Sequence, residues 1–465
     1  MPGLVSGGVL LGADLGTSGL KLVALDRAGR VVAEAERGYP VDRTAPGRAE
    51  TDVRAWRKAF DEALSAVAPA IAGTVVHALG LSGQMHGAVL VDADGRALRP
   101  ALLWADSRAT TELDLWRALP GADRAALANP LVPGMTGPLL AWLARHEPAT
   151  LAQAAAVLLP KDALRATLLP HLPPATDRSD ASATLLWDVT TDDWSPSAVA
   201  VTGVDPALLP AVRPSAEVAG TAALPLAEVP VVTGGADTPL ALLAAGTPVA
   251  QVNLGTGAQL LRPGWVPRPV REPVVHGYAD VSGGWYAMAA LQNGGSAWQW
   301  VCDVLGLSWA ELFDAAAATP AGAGGVAFRP FLSGERGAVA RPSDRGGWSG
   351  LHPGTTRADL ARAAVEGVAF AIGAAFRLLD PPAGDDAVVL TGGGARSAVV
   401  QQLLADVLGR PVRHLRLRSA SAIGAALLAG RGAGVAVVPE GTAGDVVEPQ
   451  ADDGLDAAAD RWALT

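Results

Sequence analysis

An internal repeat constrains the fold of this chain more than any other feature. Residues 9–17 read VLLGADLGT, and residues 249–257 read VAQVNLGTG. In both copies an apolar run suited to a buried strand ends at a polar residue, Asp14 or Asn253, which Leu-Gly-Thr follows. A repeated strand and glycine turn implies two duplicated halves that face each other across a cleft.

The surroundings of the first copy indicate the fold of each half. Apolar runs predict three consecutive strands, then an amphipathic helix with apolar positions three and four residues apart, then another strand. The predicted ranges are 9–15, 20–26, 31–39, 56–71 and 75–81. This order is that of the actin-like, ribonuclease-H-like half-domain. We therefore predict an α/β protein of two actin-like domains with a catalytic cleft between them.

The second half carries further elements of the same kind. Residues 387–391 predict a buried strand, Gly392–Gly394 a close backbone approach, and Ser397 the start of a helix that stops at Gly409. Residues 359–379 predict a long buried helix.

The chain length suits two domains of about 200 residues each. We predict an N-terminal domain at residues 1–238, a C-terminal domain at 239–432 and a loose acidic tail at 433–465.

Composition excludes several classes of function. Half of the 465 residues are hydrophobic, and the net charge is −10. An acidic protein lacks the basic face that nucleic-acid binding needs, so we expect no nucleic-acid partner. No apolar stretch approaches the roughly 18 residues that span a bilayer, and no signal-peptide pattern opens the chain. A single cysteine, Cys302, fits a reducing compartment, so we expect a cytoplasmic protein without a membrane partner.

Two acidic residues stand beside clustered glycines, Asp14 in the first repeat and Asp237 after the run 231–236. A carboxylate at a strand end can take a proton from a hydroxyl or hold Mg²⁺ through water. Glycine turns let backbone N–H groups meet phosphate oxygens. Together these features predict phosphoryl transfer to a small polyol or sugar. Taken singly, Asp14 could cap a turn, and Asp237 could cap a helix that begins near Pro239.

Lysine is rare in this chain, where Lys21, Lys58 and Lys161 are the only lysines among 36 basic residues. Lys21 follows the first glycine turn, where its ammonium could bind phosphate as a point charge. The alternative is a solvated side chain on a hairpin strand. Lys58 lies on the polar face of the first helix and is interpreted as solvated.

Several motifs together resemble the FGGY family of carbohydrate kinases over almost the whole chain. Besides the Asp14 turn, these are 83–87 GQMHG, 99–104 RPALLW, 159–162 LPKD, 333–336 SGER and 392–397 GGGARS. The Gln-Met-His-Gly run is the most discriminating, and it points to D-xylulose among the sugars that the family phosphorylates.

The resemblance implies roles for matching residues, with a sugar and ATP as partners and Mg²⁺ as cofactor. Asp237 would be the general base, and Asp14 would position Mg-ATP, both meeting the metal through water or phosphate. The implied sugar contacts are Met85, His86, Trp104, Asp106 and Asp237. The implied nucleotide contacts are Gly16, Thr17, Ser18, Lys21, Gly255, Thr256, Gly295, Gly393 and Gly394. Relatives are commonly homodimers, although no interface is legible in the sequence.

Departures from the family pattern cluster where the sugar should bind. Ala105 and Thr238 each stand where the family usually has asparagine, and Gly257 replaces a serine. The run 337–339 reads GAV in place of Thr-Pro-His. These changes keep open a kinase for another ketose or polyol. A non-catalytic sugar or nucleotide sensor and an actin-like assembly protein are the remaining alternatives.

Overall fold

Two mixed β-sheets, one from each half of the chain, organise the fold. The computed structural model describes residues 7–246, 249–335, 339–438 and 442–464. Among the helices of these ranges, none is both long and apolar enough to cross a membrane.

The first half supplies the strands β1 (Val9–Leu15), β2 (Gly19–Asp26), β3 (Val31–Gly38), β4 (Glu50–Thr51), β5 (Val76–Gly83), β6 (Val89–Val91), β7 (Ala101–Leu102), β8 (Ala156–Leu158), β9 (Ala175–Asp177), β10 (Trp187–Asp188), β11 (Asp193–Trp194), β12 (Ala211–Arg213), β13 (Val218–Ala223), β14 (Glu228–Val232) and β15 (Gly235–Ala236). Its helices are α1 (Val53–Val67), α2 (Leu113–Arg117), α3 (Gly121–Ala126), α4 (Thr136–His146), α5 (Pro148–Leu151), α6 (Pro160–Leu168), α7 (Arg178–Ala181), α8 (Pro196–Ala200) and α9 (Asp237–Ala245).

The second half supplies the strands β16 (Gln251–Leu254), β17 (Ala258–Pro263), β18 (His276–Ala279), β19 (Trp285–Leu291), β20 (Ala327–Arg329), β21 (Gly347–Ser349), β22 (Val388–Thr391), β23 (Val412–Arg416) and β24 (Thr442–Val447). Its helices are α10 (Gly295–Leu305), α11 (Trp309–Ala318), α12 (Arg357–Leu378), α13 (Ala398–Leu408), α14 (Ala420–Gly432) and α15 (Asp453–Leu464).

Strand pairing repeats between the halves, as the sequence repeat predicts. The first sheet runs β13-β14-β5-β1-β2-β3, with β15 also pairing with β5, and the second runs β18-β19-β17-β16-β22-β23-β24. In each sheet the repeat strand, β1 or β16, lies antiparallel to the next strand and parallel to a later one. The two-domain actin-like fold is therefore confirmed at the level of topology.

The predicted helices form for the expected physical reasons. In α1, apolar residues three and four apart, including Trp56 and Phe60, are buried, and Asp52 caps the N-terminus by accepting the N–H of Arg54. The long helix α12 begins at a reciprocal cap between Thr356 and Asp359 and is buried along most of its length.

Helix α14 of the second half packs directly on the first sheet through glycines. A Cβ on Gly12 of β1 would lie 1.9 Å from the carbonyl oxygen of Ala422, and one on Gly80 of β5 would lie 1.9 Å from that of Ala425. Two neighbouring strands thus let a helix backbone approach more closely than any side chain allows. The predicted domain boundary after residue 238 falls inside α9, which α14 also contacts.

We expect Gly80→Ala to destabilise the protein by about 1 to 3 kcal/mol, because backbone atoms of α14 must shift to admit the methyl group. Gly121→Ala is the matched control, since a Cβ there meets nothing within 4 Å at the start of α3. Urea unfolding of both variants measures the effect. Equal stability of Gly80→Ala and the wild type would contradict the close packing.

The prediction of a loose C-terminal tail is wrong. Strand β24 pairs with β23 at the edge of the second sheet, and α15 buries Leu455, Ala458 and Trp462. The indole N–H of Trp462 donates to the carbonyl oxygen of Phe328 at 2.9 Å. The acidic composition of the segment hid apolar residues three and seven apart, which is the spacing of one helix face.

Candidate active site

Asp14 ends β1 and is held by the neighbouring strands. It stands opposite Lys21 of β2 and Ser82 of β5, and the Ser82 hydroxyl donates to its Oδ1 at 2.6 Å. Burial raises the pKa of Asp14, although the Ser82 hydrogen bond and the Lys21 charge oppose the rise. The carboxylate is therefore oriented by structure but poorly solvated, which suits a charged ligand.

Asp237 is the first residue of α9, directly after β15. The helix begins at this residue, and its capping position is Ala236, so Asp237 does not cap a helix that starts at Pro239. The Thr238 hydroxyl donates to Asp237 Oδ1 at 3.1 Å. Burial, and then the nearby charge of Asp14, raise the pKa of Asp237 to about 7.

Strand β5 brings the two carboxylates together. Asp14 of β1 and Gly235 of β15 stand opposite the same residue, Ser82, on its two sides. Because adjacent strands lie about 4.8 Å apart, the backbones of Asp14 and Gly235 are roughly 10 Å apart, and Asp237 follows two residues after Gly235. The effect of the Asp14 charge on the pKa of Asp237 agrees with this proximity.

The sugar loop expected from the Gln-Met-His-Gly run follows β5 directly. Met85 is buried, and the Tyr286 hydroxyl donates to its sulfur at 3.7 Å. His86 has a left-handed backbone with φ of 66°, which is uncommon for a residue other than glycine. Its Nδ1 lies 2.5 Å from the carbonyl oxygen of Ala183, and its ring meets that of Tyr278 edge to face.

Tyrosines are the site residues that sequence analysis missed. The chain has only three, and the pKa of Tyr286 is raised by burial and then by charges that include Asp237. Tyr39 donates its hydroxyl to the carbonyl oxygen of Gly16, and burial and then the Asp14 charge raise its pKa. Tyr39 is therefore near Asp14 and Tyr286 is near Asp237, while Tyr278 packs on His86 and Tyr286.

Side-chain hydrogen bonds hold the first glycine turn in place. The carbonyl oxygen of Gly16 also accepts from Gln84 Nε2 at 3.0 Å, and Thr17 Oγ1 accepts from the indole N–H of Trp104 at 2.9 Å. Ser18 is exposed and leaves the turn toward β2. Lys21 Nζ lies 3.6 Å from Glu36 at the surface, so its role as a phosphate neighbour stays a prediction.

Trp104 and Asp106 occupy different environments. The Trp104 side chain is partly exposed beside the glycine turn, where a ligand can reach it. Asp106 is buried, and its Oδ2 accepts the N–H of Ala49 at 2.9 Å and lies 2.6 Å from Arg108 Nη2. Because its oxygens already have protein donors, Asp106 holds the loop, and its contact with sugar stays a prediction. Ala105, between these two residues, is half-buried and packs against the hydrophobic core of the first half.

Three glycine segments of the second half converge at the end of β16. Gly295 N–H donates to the carbonyl oxygen of Gly255 at 2.9 Å, and Gly294 N–H donates to that of Thr256 at 3.1 Å. A Cβ on Gly394 would lie 2.7 Å from the Leu254 side chain. The predicted nucleotide residues of this half are therefore brought together.

The same loops leave backbone open to a ligand. A Cβ on Gly255 or on Gly393 would meet nothing within 4 Å, so both can be approached closely. Gly257 differs, because a Cβ there would lie 2.3 Å from the carbonyl oxygen of Leu291. At position 257 the backbone therefore lies too close to Leu291 for any side chain, including the serine that the family usually has there.

Glu335 of the Ser-Gly-Glu-Arg motif supports the turn before α10. Its carboxylate accepts the N–H of Gln292 at 2.7 Å and the side-chain amide of Asn293 at 3.1 Å. Arg336, Gly337 and Ala338 lie outside the described residues, and Val339 packs against the hydrophobic core of the second half. Of the three residues at 337–339 that depart from the family pattern, the structure therefore locates only Val339.

A fully buried ion cluster lies behind the sugar loop. Lys161 Nζ is 2.7 Å from Asp162, 3.0 Å from Asp177 and 2.9 Å from Asp180, and Arg165 lies 2.9 Å from Asp162. Burial raises the pKa of Asp180 to about 8, although the Lys161 charge opposes the rise. Sequence analysis quoted Lys161 only as part of a motif.

Comparison with known proteins identifies the family. Models of the N-terminal and C-terminal domains of the FGGY family of carbohydrate kinases match residues 9–244 and 250–433. A xylulose kinase of Escherichia coli K12 is 36% identical, over 92% of this chain and 90% of the relative.

Solved structures share the fold. A xylulose kinase from Rhodospirillum rubrum matches with a TM-score of 0.88 at 26% identity, covering 98% of this chain and 97% of the other. A gluconate kinase from Lactobacillus acidophilus has the same TM-score and coverage at 22% identity, so fold similarity alone leaves the sugar open. The family models cover both halves of the chain and its two acidic strand ends, and this protein belongs to the FGGY family of carbohydrate kinases.

Proposed function

We propose that this protein transfers the γ-phosphoryl group of ATP to a ketopentose, D-xylulose, giving D-xylulose 5-phosphate. The observation that carries the proposal is the half-buried Asp237 carboxylate, whose pKa is raised to about 7, beside the Met85-His86 loop. A base with a pKa near the working pH can both accept a proton and be regenerated. The xylulose kinase relatives support the choice of sugar.

Each half of the site has a proposed part in this reaction. Asp237 takes the proton of the terminal hydroxyl as it attacks the γ-phosphorus, while Met85 and His86 contact the ketose. Trp104 covers its apolar face, and Asp106 orients that loop. In the other half, Gly255 and Thr256 meet the nucleotide phosphates with Gly295, and Gly393 and Gly394 pack near the adenosine.

Mg²⁺ fits the first half of the site. Asp14 is a half-buried, oriented carboxylate whose second oxygen is free of the Ser82 hydrogen bond, and Asp237 lies across β5 from it. Oxygen ligands of this kind, with phosphate and water, are what Mg²⁺ prefers. When bound, the ion would neutralise charge that develops on the transferred group.

We also propose that the protein is cytoplasmic and forms a homodimer, on the family resemblance alone.

The rate of phosphoryl transfer should depend on pH through Asp237. Because its pKa is raised to about 7, the base becomes protonated and inactive as the pH falls through that value. We expect kcat/KM for the sugar, which reports the free enzyme, to rise with an apparent pKa near 7 between pH 5.5 and 9. Repeating the assay with a viscogen separates chemistry from diffusion of the sugar, and a flat profile down to pH 5.5 would contradict the assignment.

Release of ADP across a panel of acceptors tests the sugar. The panel is D-xylulose, D-ribulose, L-ribulose, L-xylulose, glycerol and gluconate, each compared with a blank that lacks acceptor. Selectivity for D-xylulose is the expected result.

A different preferred acceptor would mean that Ala105 and Thr238 have changed the pocket, and the Thr238 hydrogen bond to Asp237 is the observation that favours this second candidate. No turnover with any acceptor would leave the protein as a non-catalytic sensor.

A further inference from the structure

The segment that carries Asp237 is held by two buried side chains from other parts of the first half. The N–H of Ala236 donates to Ser179 Oγ at 2.9 Å, and Arg165 Nη1 donates to the carbonyl oxygen of Thr233. Ser179 is completely buried. Since Ala236 directly precedes Asp237 and is the capping position of α9 without a side-chain cap, these two hydrogen bonds act with the pairing of β15 on β5 to hold the backbone where the helix starts.

The direction of the Ser179 hydrogen bonds follows from its neighbours. Its hydroxyl donates to Asp177 Oδ2 at 2.6 Å, and a hydroxyl has a single proton. The lone pairs of Ser179 are therefore turned toward the Ala236 N–H. Lys161 Nζ lies 3.0 Å from Asp177 Oδ1, which keeps that carboxylate charged inside the protein and keeps Ser179 in this orientation.

We propose that Ser179 is a positioning residue for Asp237, acting as an oriented acceptor that holds the Ala236 N–H. The proposal rests on the proposed role of Asp237 as general base. Without the Ser179 acceptor for the Ala236 N–H, the first turn of α9 would shift, and the Asp237 carboxylate would leave its place beside the sugar hydroxyl. Displacement of a reacting group by about 1 Å can cost on the order of 100-fold in rate.

The chain offers a matched control in Ser215. Its hydroxyl also donates to Asp177 Oδ2, at 2.8 Å, and it too is buried. Its contact with the Asp237 segment is through its backbone carbonyl, which accepts the N–H of Gly234 and survives a side-chain change. Ser179→Ala and Ser215→Ala thus each remove one hydrogen bond to Asp177, and only Ser179→Ala removes the acceptor of the Ala236 N–H.

The test compares kcat, KM and the pH profile of both variants with those of Asp237→Asn and the wild type. We expect Ser179→Ala to lower kcat by about 10- to 100-fold, with the KM for ATP unchanged within about twofold. The acid limb of its kcat profile should move to lower pH, because a displaced Asp237 is better solvated. Ser215→Ala should keep the wild-type profile, with kcat within about threefold, since the base stays in place.

The outcomes separate the two proposals. Equal losses of kcat with the same acid limb in both serine variants would overturn the positioning role of Ser179 and leave Asp237 as the base. Turnover retained by Asp237→Asn would overturn the base assignment itself. Ser179→Cys serves if the alanine variant does not fold, because a thiol fills the place but accepts weakly, and wild-type behaviour of that variant would count against the proposal.

Discussion

Asp237→Asn should lower kcat with sugar by a factor on the order of 10² to 10⁴, which is the usual contribution of a general base. The amide occupies the same volume but cannot take the proton of the attacking hydroxyl. ATP affinity should change by no more than about twofold, because the proposed work of the side chain is proton transfer. Single-turnover kinetics and nucleotide titration measure the two quantities.

The same variant should gain stability, which distinguishes it from a variant that merely misfolds. The pKa of Asp237 is raised in the folded protein, so folding binds a proton and the wild type loses stability as the pH rises from about 4 to 7. An uncharged amide at this position has no such penalty, which is at most about 4 kcal/mol for a shift of this size. Asp237→Asn should therefore melt at a higher temperature than the wild type at pH 8.

A nearby acid supplies the matched control. Asp280 follows β18, and its carboxylate accepts the N–H groups of Ser282 and Gly284 in an exposed turn. Asp280→Asn removes the same charge and keeps an acceptor for the turn, so kcat should stay near the wild-type value. Near-wild-type turnover of Asp237→Asn, in contrast, would sink the proposed mechanism.

Lys161→Met should cause the largest loss of stability, roughly 3 to 5 kcal/mol, because it removes one partner of a buried ion cluster. Methionine fills a similar volume but leaves Asp162, Asp177 and Asp180 with Arg165 as their main counterion. Urea unfolding at pH 8 measures the change. Lys58→Met is the control, since that exposed lysine lies 3.8 Å from Glu62 and should contribute less than about 1 kcal/mol.

The loss caused by Lys161→Met should shrink as the pH falls from 8 to 5. In the wild type the Lys161 charge and hydrogen bonds outweigh burial and lower the pKa of Asp177, so its stabilising contribution is present above the unfolded pKa. In the variant the cluster carboxylates lose that charge and take up protons as acid is added, which relieves part of the cost. A loss of stability that does not vary with pH would contradict a charge-based role for Lys161.

Local patterns predicted much of the fold because each depends on neighbouring residues. The apolar runs around Asp14 and Asn253, with their glycine turns, were enough to predict duplicated halves. The equivalent pairings that β1 and β16 make, each in its own sheet, confirm this prediction. Helix α12 was predicted to within two residues at each end from its apolar content. The C-terminal segment was mispredicted because its acidic composition outweighed the spacing of Leu455, Ala458 and Trp462.

Residues of the candidate site could be predicted only where a motif carried a residue type with an obvious chemical role. Asp14, Asp237 and the Met85-His86 loop stood out in this way, and the structure brings them to the ends of neighbouring strands. Tyr278 and Tyr286 did not, because a tyrosine in an apolar strand resembles any core residue.

By itself, the sequence determined the duplicated α/β fold, the acidic strand ends and the family, since strand runs, glycine turns and motifs are read along the chain. Only the tertiary structure decided that Asp237 lies half-buried near Asp14 with a pKa raised to about 7. The tertiary structure also decided that Ser179, Asp177 and Lys161 lie behind it. Desolvation and hydrogen bonds between distant segments depend on distances through space, and those exist only once the chain has folded.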